Sequence, residues 1–365
     1  MSQVVKNITN IEYFTDKFDV IDIPHVTKLR YHPYAIQQQW TTLPTFVAEF
    51  NNCSVNSLPV LITENRHMIT EHVWPMLDKY KHKGQKNHGL WSKWEDNIII
   101  KMPPIKEQFN GTYKYVWLPI DEESVNNPWH IWIDVISKFR LIERRWSTNF
   151  AKYVYILSNQ SAYFEKVHKV LFPELRYIVM PKGETWRFQH LLVPSMSNHN
   201  DGVVVPHLPA WLRHFKGSFG IPENIKPHRK IFVSRSKAKT RKLENQNELL
   251  MQLKGWEPIV LEDLDIKEQV KVFAEASHIL ATHGAGLVNT LWCKANTKII
   301  ELQDKNMIHK KVYPLLSYNL GLKHELFVTK TVPIKIEGKK PKGVKRLNDL
   351  INFEVDIPNL IRHLD

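Results

Sequence analysis

At 365 residues the chain is too long for one ordinary hydrophobic core and suits two domains of about 150–200 residues each. It is 43% hydrophobic and 24% charged, which excludes wholesale disorder, collagen-like repeats and coiled-coil rods. Fifty Lys and Arg against 37 Asp and Glu leave a net charge of +13, favouring nucleotides, phosphates, nucleic acid or an acidic membrane without choosing among them.

No stretch approaches the roughly 20 apolar residues that span a bilayer, and the start, MSQVVKNITNIEYF, lacks the apolar core and small-residue site of a signal peptide. Cys53 and Cys293 are too few for a disulfide framework and have no zinc-site spacing. The sequons at Asn7, Asn52, Asn110 and Asn159 therefore read as chance matches. The expectation is a soluble protein of a reducing compartment, cytoplasmic, in a bacterial or viral setting.

In chain order, residues 1 to about 190 read as mixed α/β, with strands in YKYVWLPI and YVYILS. Between them NNPWHIWIDVISKFRLIERRW reads as a helix, with Asn127 as N-cap and Pro128 in the first position. Trp129, Trp132, Ile133 and Ile136 form its apolar stripe; His130, Asp134 and Ser137 share another face. Pro and Gly then cluster over 194–228, a plausible interdomain connection with a short helix near WLRHF. From 229 the pattern is regular. RKIFVS, WEPIVL, HILAT and TKIIEL read as strands, alternating with helices at LENQNELLMQL, 266–277 and GLVNTLWCK. Four strands and three helices in alternation imply a doubly wound parallel sheet with right-handed crossovers.

Ligands bind such sheets outside the carboxyl ends of the strands. There the sequence places Arg235 and a basic loop reaching Arg241, then Glu262, then His283-Gly284-Ala285-Gly286, and lastly Glu301. Glycines admit a phosphate to the backbone, and a helix beginning near Gly286 would add free N–H groups and its dipole. Arginine forks match phosphate oxygens in two-point contacts. A carboxylate at a strand end suits ribose hydroxyls.

Other motifs fail. Asp263-Leu264-Asp265 has the D-x-D form of metal-bound sugar nucleotides, yet Asp265 with Glu268 makes a capping box before a helix. HGAG has no G-x-S-x-G nucleophile elbow to serve. H-E-x-x-H, the P-loop and G-x-G-x-x-G are all absent.

The run RKIFVSRSKAKTRKLENQNELL through TKIIEL, about 229–302, resembles glycosyltransferase family 61, carried by the linked pattern E-Q, A, H-G-A-G-L-x-N and I-E. NPWHIWIDVISKF and LLVPS resemble further segments of that family; Asn245-Gln246 stands where the family has N-E. The resemblance implies a GT-B architecture, with two Rossmann-like α/β domains facing a cleft. The acceptor-side domain would occupy 1–195, an interdomain linker 196–228 and the nucleotide-sugar domain 229–340, while 341–365 would return to the first domain. It implies inverting transfer of a sugar, usually from a UDP-sugar, to a glycan hydroxyl, with no cofactor and no essential divalent metal. Carried over, Arg235 and Arg241 match the family's basic pair, His283, Gly284, Ala285 and Gly286 its glycine turn, and Asn289 and Glu301 match as well.

Asp134 is the favoured general base, with His130 as rival or orienting partner. The cluster Lys339, Lys340, Lys342, Lys345 and Arg346 is a solvated loop or a weak contact with anionic membrane. The alternative function is a catalytically silent nucleotide-sugar or glycan-binding protein of the same fold. Nucleic acid is not an expected partner, because the basic residues are not interleaved with aromatics along any recognised module.

Overall fold

The computed structural model describes residues 10–14, 20–22, 39–41, 45–57, 60–64, 68–69, 91–94, 97–100, 104–111, 114–120, 124–146, 150–197, 204, 207–304, 312–334 and 351–364. The chain divides into two compact units, Met1–Asp19 with Leu43–Asn200, and Val20–Thr42 with Asp201–Asp365. The early segment 20–42 thus belongs to the second unit, where Val20–Asp22 pairs antiparallel with Gln39–Thr41.

The first unit is built on a mixed sheet. Arg176–Val179, Val154–Leu157, Tyr115–Leu118 and Thr185–Pro194 run parallel in that order. Thr45–Asn56 then pairs antiparallel with Thr185–Pro194 and is followed by Leu61–Ile62 and Met68–Ile69. The α/β character expected from the sequence is present, but this sheet is parallel only on one side. Val154–Leu157 is buried along its whole length, as befits a continuous apolar run inside a parallel sheet.

Asn127 caps the predicted helix, its Oδ1 accepting from the Trp129 N–H at 3.0 Å. The periodicity then departs from 3.6. His130–Ile136 winds as a π-helix before Lys138–Trp146 continues as α-helix, and the Ser137 N–H bonds the Trp132 carbonyl five residues back at 3.1 Å. The wider turn buries Ile131 and Val135 as well as Trp132, Ile133 and Ile136.

The second unit carries the doubly wound sheet. Its strand order is Glu257–Val260, Arg229–Ser234, Ala276–Thr282, Lys298–Asp304, Lys323–Pro333 and Ile351–Glu354. The first five are parallel and the last antiparallel. Lys323–Pro333 is a fifth parallel strand that the sequence reading did not assign.

Residues 207–228 group with the second unit. There Arg213 donates from Nε to the Leu291 carbonyl at 3.1 Å, from Nη1 to the Leu320 carbonyl at 3.1 Å, and from Nη2 to the Cys293 carbonyl. The C-terminal segment also stays with the second unit. Phe353, Val355, Ile357 and Leu360 join a core with Phe232, Leu280, Ile300 and Leu249. At roughly 1.5–3 kcal/mol for each large apolar side chain buried, that packing fixes the segment in place.

Candidate functional site

In the second unit the parallel strands follow the order 2-1-3-4-5 by their sequence. The chain therefore reverses its direction of winding between Arg229–Ser234 and Ala276–Thr282, the switch point at which open α/β sheets bind ligands. Arg235 follows the first of these strands and His283-Gly284 the second.

Arg235 and Gly284 meet there. A Cβ built on Gly284 would overlap the Arg235 guanidinium. Arg235 donates from Nη2 to the Thr240 carbonyl at 3.4 Å, while its buried Nε has no hydrogen-bond partner. Burial, and then the charge of Arg241, push the Arg235 guanidinium down to about 10, against the opposing pull of Tyr313 and Glu262. Arg241 reaches the same turn, donating from Nη1 to the His283 carbonyl at 3.5 Å. Two guanidinium groups held together in partial burial suit a ligand with negative charge.

Arg241 sits in the left-handed region, φ 59°, a conformation unfavourable for a side-chain-bearing residue. The closing strand holds it there. The Arg241 N–H donates to the Ile351 carbonyl at 2.6 Å, Phe353 N–H to Lys242 at 2.7 Å, and Glu244 N–H to Phe353 at 2.8 Å. Asn245 adds a two-point bond to Val355, donating at 2.8 Å and accepting at 3.1 Å. Gln246 accepts from the Ser234 hydroxyl at 2.7 Å.

The helix expected after the glycine turn is a 3-10 helix, Ala285–Trp292. Asn289 and Thr290 explain the tighter winding, since their side chains bond the carbonyls of Gly286 (3.2 Å) and Leu287 (2.8 Å) three residues back. Asn289 is wholly buried and also reaches Gln269 at 3.3 Å, which donates to the Leu261 and Leu264 carbonyls at 2.9 and 3.2 Å. Asn289 is therefore a brace behind the turn. A Cβ on Gly286 would lie 2.6 Å from Leu261 Cδ1, so the turn packs tightly on that neighbour.

Glu301 does not face outward. It is 0% exposed and accepts from His283 Nδ1 at 2.5 Å and from His324 Nε2 at 2.9 Å. Both carboxylate oxygens are thus engaged by histidines. Burial alone would raise the carboxyl, but His283 and His324 outweigh it and hold Glu301 at about 2. Tyr313 packs edge-on against His283, ring centroids 5.2 Å apart. Gln269, Tyr313 and His324 were not singled out from the sequence, although Gln269 lies in the E-Q pair of the matched pattern.

In the first unit the π-helix turns one polar edge outward. His130 Nδ1 lies 2.6 Å from Asp134 Oδ2, with side chains 36% and 20% exposed. Ser137, expected on the same face, is buried instead and bonded to the Ile133 carbonyl and Ser197 Oγ. In the D-x-D segment the capping box forms, with Asp265 accepting from the Glu268 N–H at 2.8 Å and Glu268 from the Asp265 N–H at 2.7 Å. Asp263 pairs with Lys237. Cys53 and Cys293 are buried free thiols, each pushed up to about 12 by burial. Among the described residues no helix is long and apolar enough to cross a membrane. The cluster Lys339 to Arg346 lies outside the described residues.

A basic, glycine-lined switch point on a doubly wound sheet marks the candidate site of an α/β protein. Residues 42–300 match the family model for Glycosyltransferase 61, and the chain belongs to that family. It is accordingly a glycosyltransferase, acting on a sugar donor and an acceptor. The curated proteins compared with it gave no match.

Proposed function

We propose that the protein is an inverting, metal-independent transferase that moves a sugar from a nucleotide sugar, a UDP-sugar being favoured, to a hydroxyl of a glycan acceptor. The second unit takes the donor and the first the acceptor, the division of labour of a GT-B enzyme. The setting is cytoplasmic. The observation that carries the reading is the pairing of Arg235 with Gly284 at the switch point, joined by Arg241.

In this reading Arg235 and Arg241 hold the diphosphate and stabilise the charge that develops on it as the sugar leaves. The turn His283-Gly284-Ala285-Gly286 lies under the phosphates. The first N–H groups of the following helix have no partner within it and face the same anion. Asn289 keeps that turn in shape from behind, and Glu301 does so through His283. The guanidinium groups supply the positive charge that a divalent metal supplies elsewhere. The carboxylates of the D-x-D segment are already committed to a cap and to Lys237.

Inversion requires a base for the acceptor hydroxyl. The 2.6 Å bond favours His130 and Asp134 acting together, the carboxylate accepting from Nδ1–H and orienting the ring. The proton from the acceptor then goes to Nε2 of His130, the more exposed partner. Of the two candidates the sequence offers for the base, this favours His130 over Asp134.

Thermal stabilisation by a panel of nucleoside diphosphates and nucleotide sugars in excess chelator tests this. Stabilisation by UDP and at least one UDP-sugar is expected. A protein that responds to none of them, or only when a divalent metal is added, would refute the donor assignment or its metal independence respectively.

A further inference from the structure

Four side chains run in series from the glycine turn into the interior of the second unit. His283 Nδ1 lies 2.5 Å from Glu301 Oε1; Glu301 Oε2 lies 2.9 Å from His324 Nε2; His324 Nδ1 lies 2.8 Å from Ser317 Oγ. The side chains of Glu301, His324 and His283 are 0%, 3% and 7% exposed. His324 lies on the strand Lys323–Pro333 and Ser317 on the helix Val312–Asn319, both beyond the segment matched by the family.

An ionised carboxylate deep in a protein is tolerable only when each oxygen receives a donor. Here each histidine supplies one N–H. To meet the ionised carboxylate His283 carries its ring proton on Nδ1, a nitrogen that the Gln303 side-chain amide also approaches at 3.2 Å. His324 must carry one on Nε2, leaving its Nδ1 to accept from the Ser317 hydroxyl. The position of His283 matters to its neighbours, since Gly284 packs against Arg235 and the His283 carbonyl accepts from Arg241. Without His324, Glu301 Oε2 would be buried without that donor. The carboxyl would then take up a proton or rotate, and the bond that fixes His283 would go with it.

We propose that His324 and Ser317 are positioning residues of the donor site. Acting through Glu301, they hold the His283 ring in its Nδ1–H form and keep the turn that follows in register with Arg235 and Arg241. The proposal rests on the reading of that turn as a diphosphate site. It extends the site to two elements outside the family match. A purely structural network would affect melting alone. A positioning network also governs the ring proton of His283 and the affinity for diphosphate, and glutamine restores both because its amide nitrogen reaches the place of Nε2.

The test uses the full chain labelled with ¹⁵N-histidine, reading ring-nitrogen signals by NMR and titrating UDP and inorganic pyrophosphate by calorimetry. His324→Phe is expected to lose about tenfold or more in affinity for both probes and to lose the Nδ1–H signature of His283. His324→Gln is expected to recover both, and Ser317→Ala to show a smaller loss of the same kind. Wild-type affinity with unchanged His283 signals in His324→Phe would overturn the proposal, as would a loss that His324→Gln does not restore. Should His324→Phe fail to fold, Ser317→Ala decides, and unchanged affinity and ring signals there count against the proposal. If the wild type binds neither probe, the donor reading has failed. The His283 signals in the variants still decide the positioning claim.

Discussion

The Arg235 guanidinium fills the space that a side chain on residue 284 would require. The conflict lies at the far end of a long side chain, so an alanine there displaces the guanidinium and leaves the backbone in place. Gly284→Ala is expected to shift stability by no more than about 1 kcal/mol while weakening UDP binding about tenfold or more. Parallel melting and titration curves check this; a variant that binds as well as wild type would detach Arg235 from the site.

Arg235 is carried at a cost to the fold. Its folded pKa, about 10, lies below the ordinary arginine value because of burial and Arg241. The side chain stays charged in the neutral range, where the fold bears the cost of burying that charge, and the penalty fades only as pH rises above about 10. Arg235→Met should melt a few degrees higher than wild type without ligand and show no stabilisation by UDP. A lower melting point would show that the guanidinium serves the fold and not a ligand.

The pair His130 and Asp134 stands on the only polar edge described for an otherwise buried π-helix. His130→Ala is expected to abolish transfer, and Asp134→Asn to reduce it by about 10²- to 10⁴-fold by releasing the ring. Both variants should bind UDP like wild type, because the donor is assigned to the other unit. Full turnover in either variant would remove the pair from the mechanism, and its KM and kcat show which step each residue serves.

Glu301 makes the fold sensitive to acid. Its carboxyl titrates at about 2 in the folded chain against 4.5 ordinarily. Above about pH 5 both folded and unfolded chains carry the charge, and its stabilisation is fully present. As pH falls the unfolded chain takes up a proton that the folded chain refuses, so stability drops and this contribution is gone near pH 2. Urea midpoints measured down this range should fall more steeply for wild type than for Glu301→Gln. Equal slopes would mean that the two histidines do not hold the carboxylate ionised.

Much of the second unit was legible because its central strands Ala276–Thr282 and Lys298–Asp304 are buried over most of their length and the helix Ile266–Glu275 is amphipathic. RKIFVS was recognised as an apolar run and is the strand Arg229–Ser234. The strand Lys323–Pro333 escaped because lysine, histidine and threonine interrupt its apolar positions, while its membership depends on pairing with Lys298–Asp304. The basic residues and glycines of the turn could be placed at one sheet edge from the strand order alone. The fate of Glu301 could not. Which way a strand-end carboxylate points depends on partners distant in sequence, and His324 lies 23 residues away. The π-helix likewise follows from burying five of its seven residues, which a 3.6-residue period does not express. Val20–Asp22 and Gln39–Thr41 group with the second unit, which nothing in their local composition marks.

The most direct test is release of UDP from a set of UDP-sugars in excess chelator, followed by ³¹P NMR for wild type and Arg235→Met. The account predicts that wild type releases UDP from at least one donor, faster when a glycan acceptor accepts the sugar, and that Arg235→Met releases none above background. No release from any donor by wild type, or undiminished release by Arg235→Met, would contradict a donor site built on Arg235 and the glycine turn.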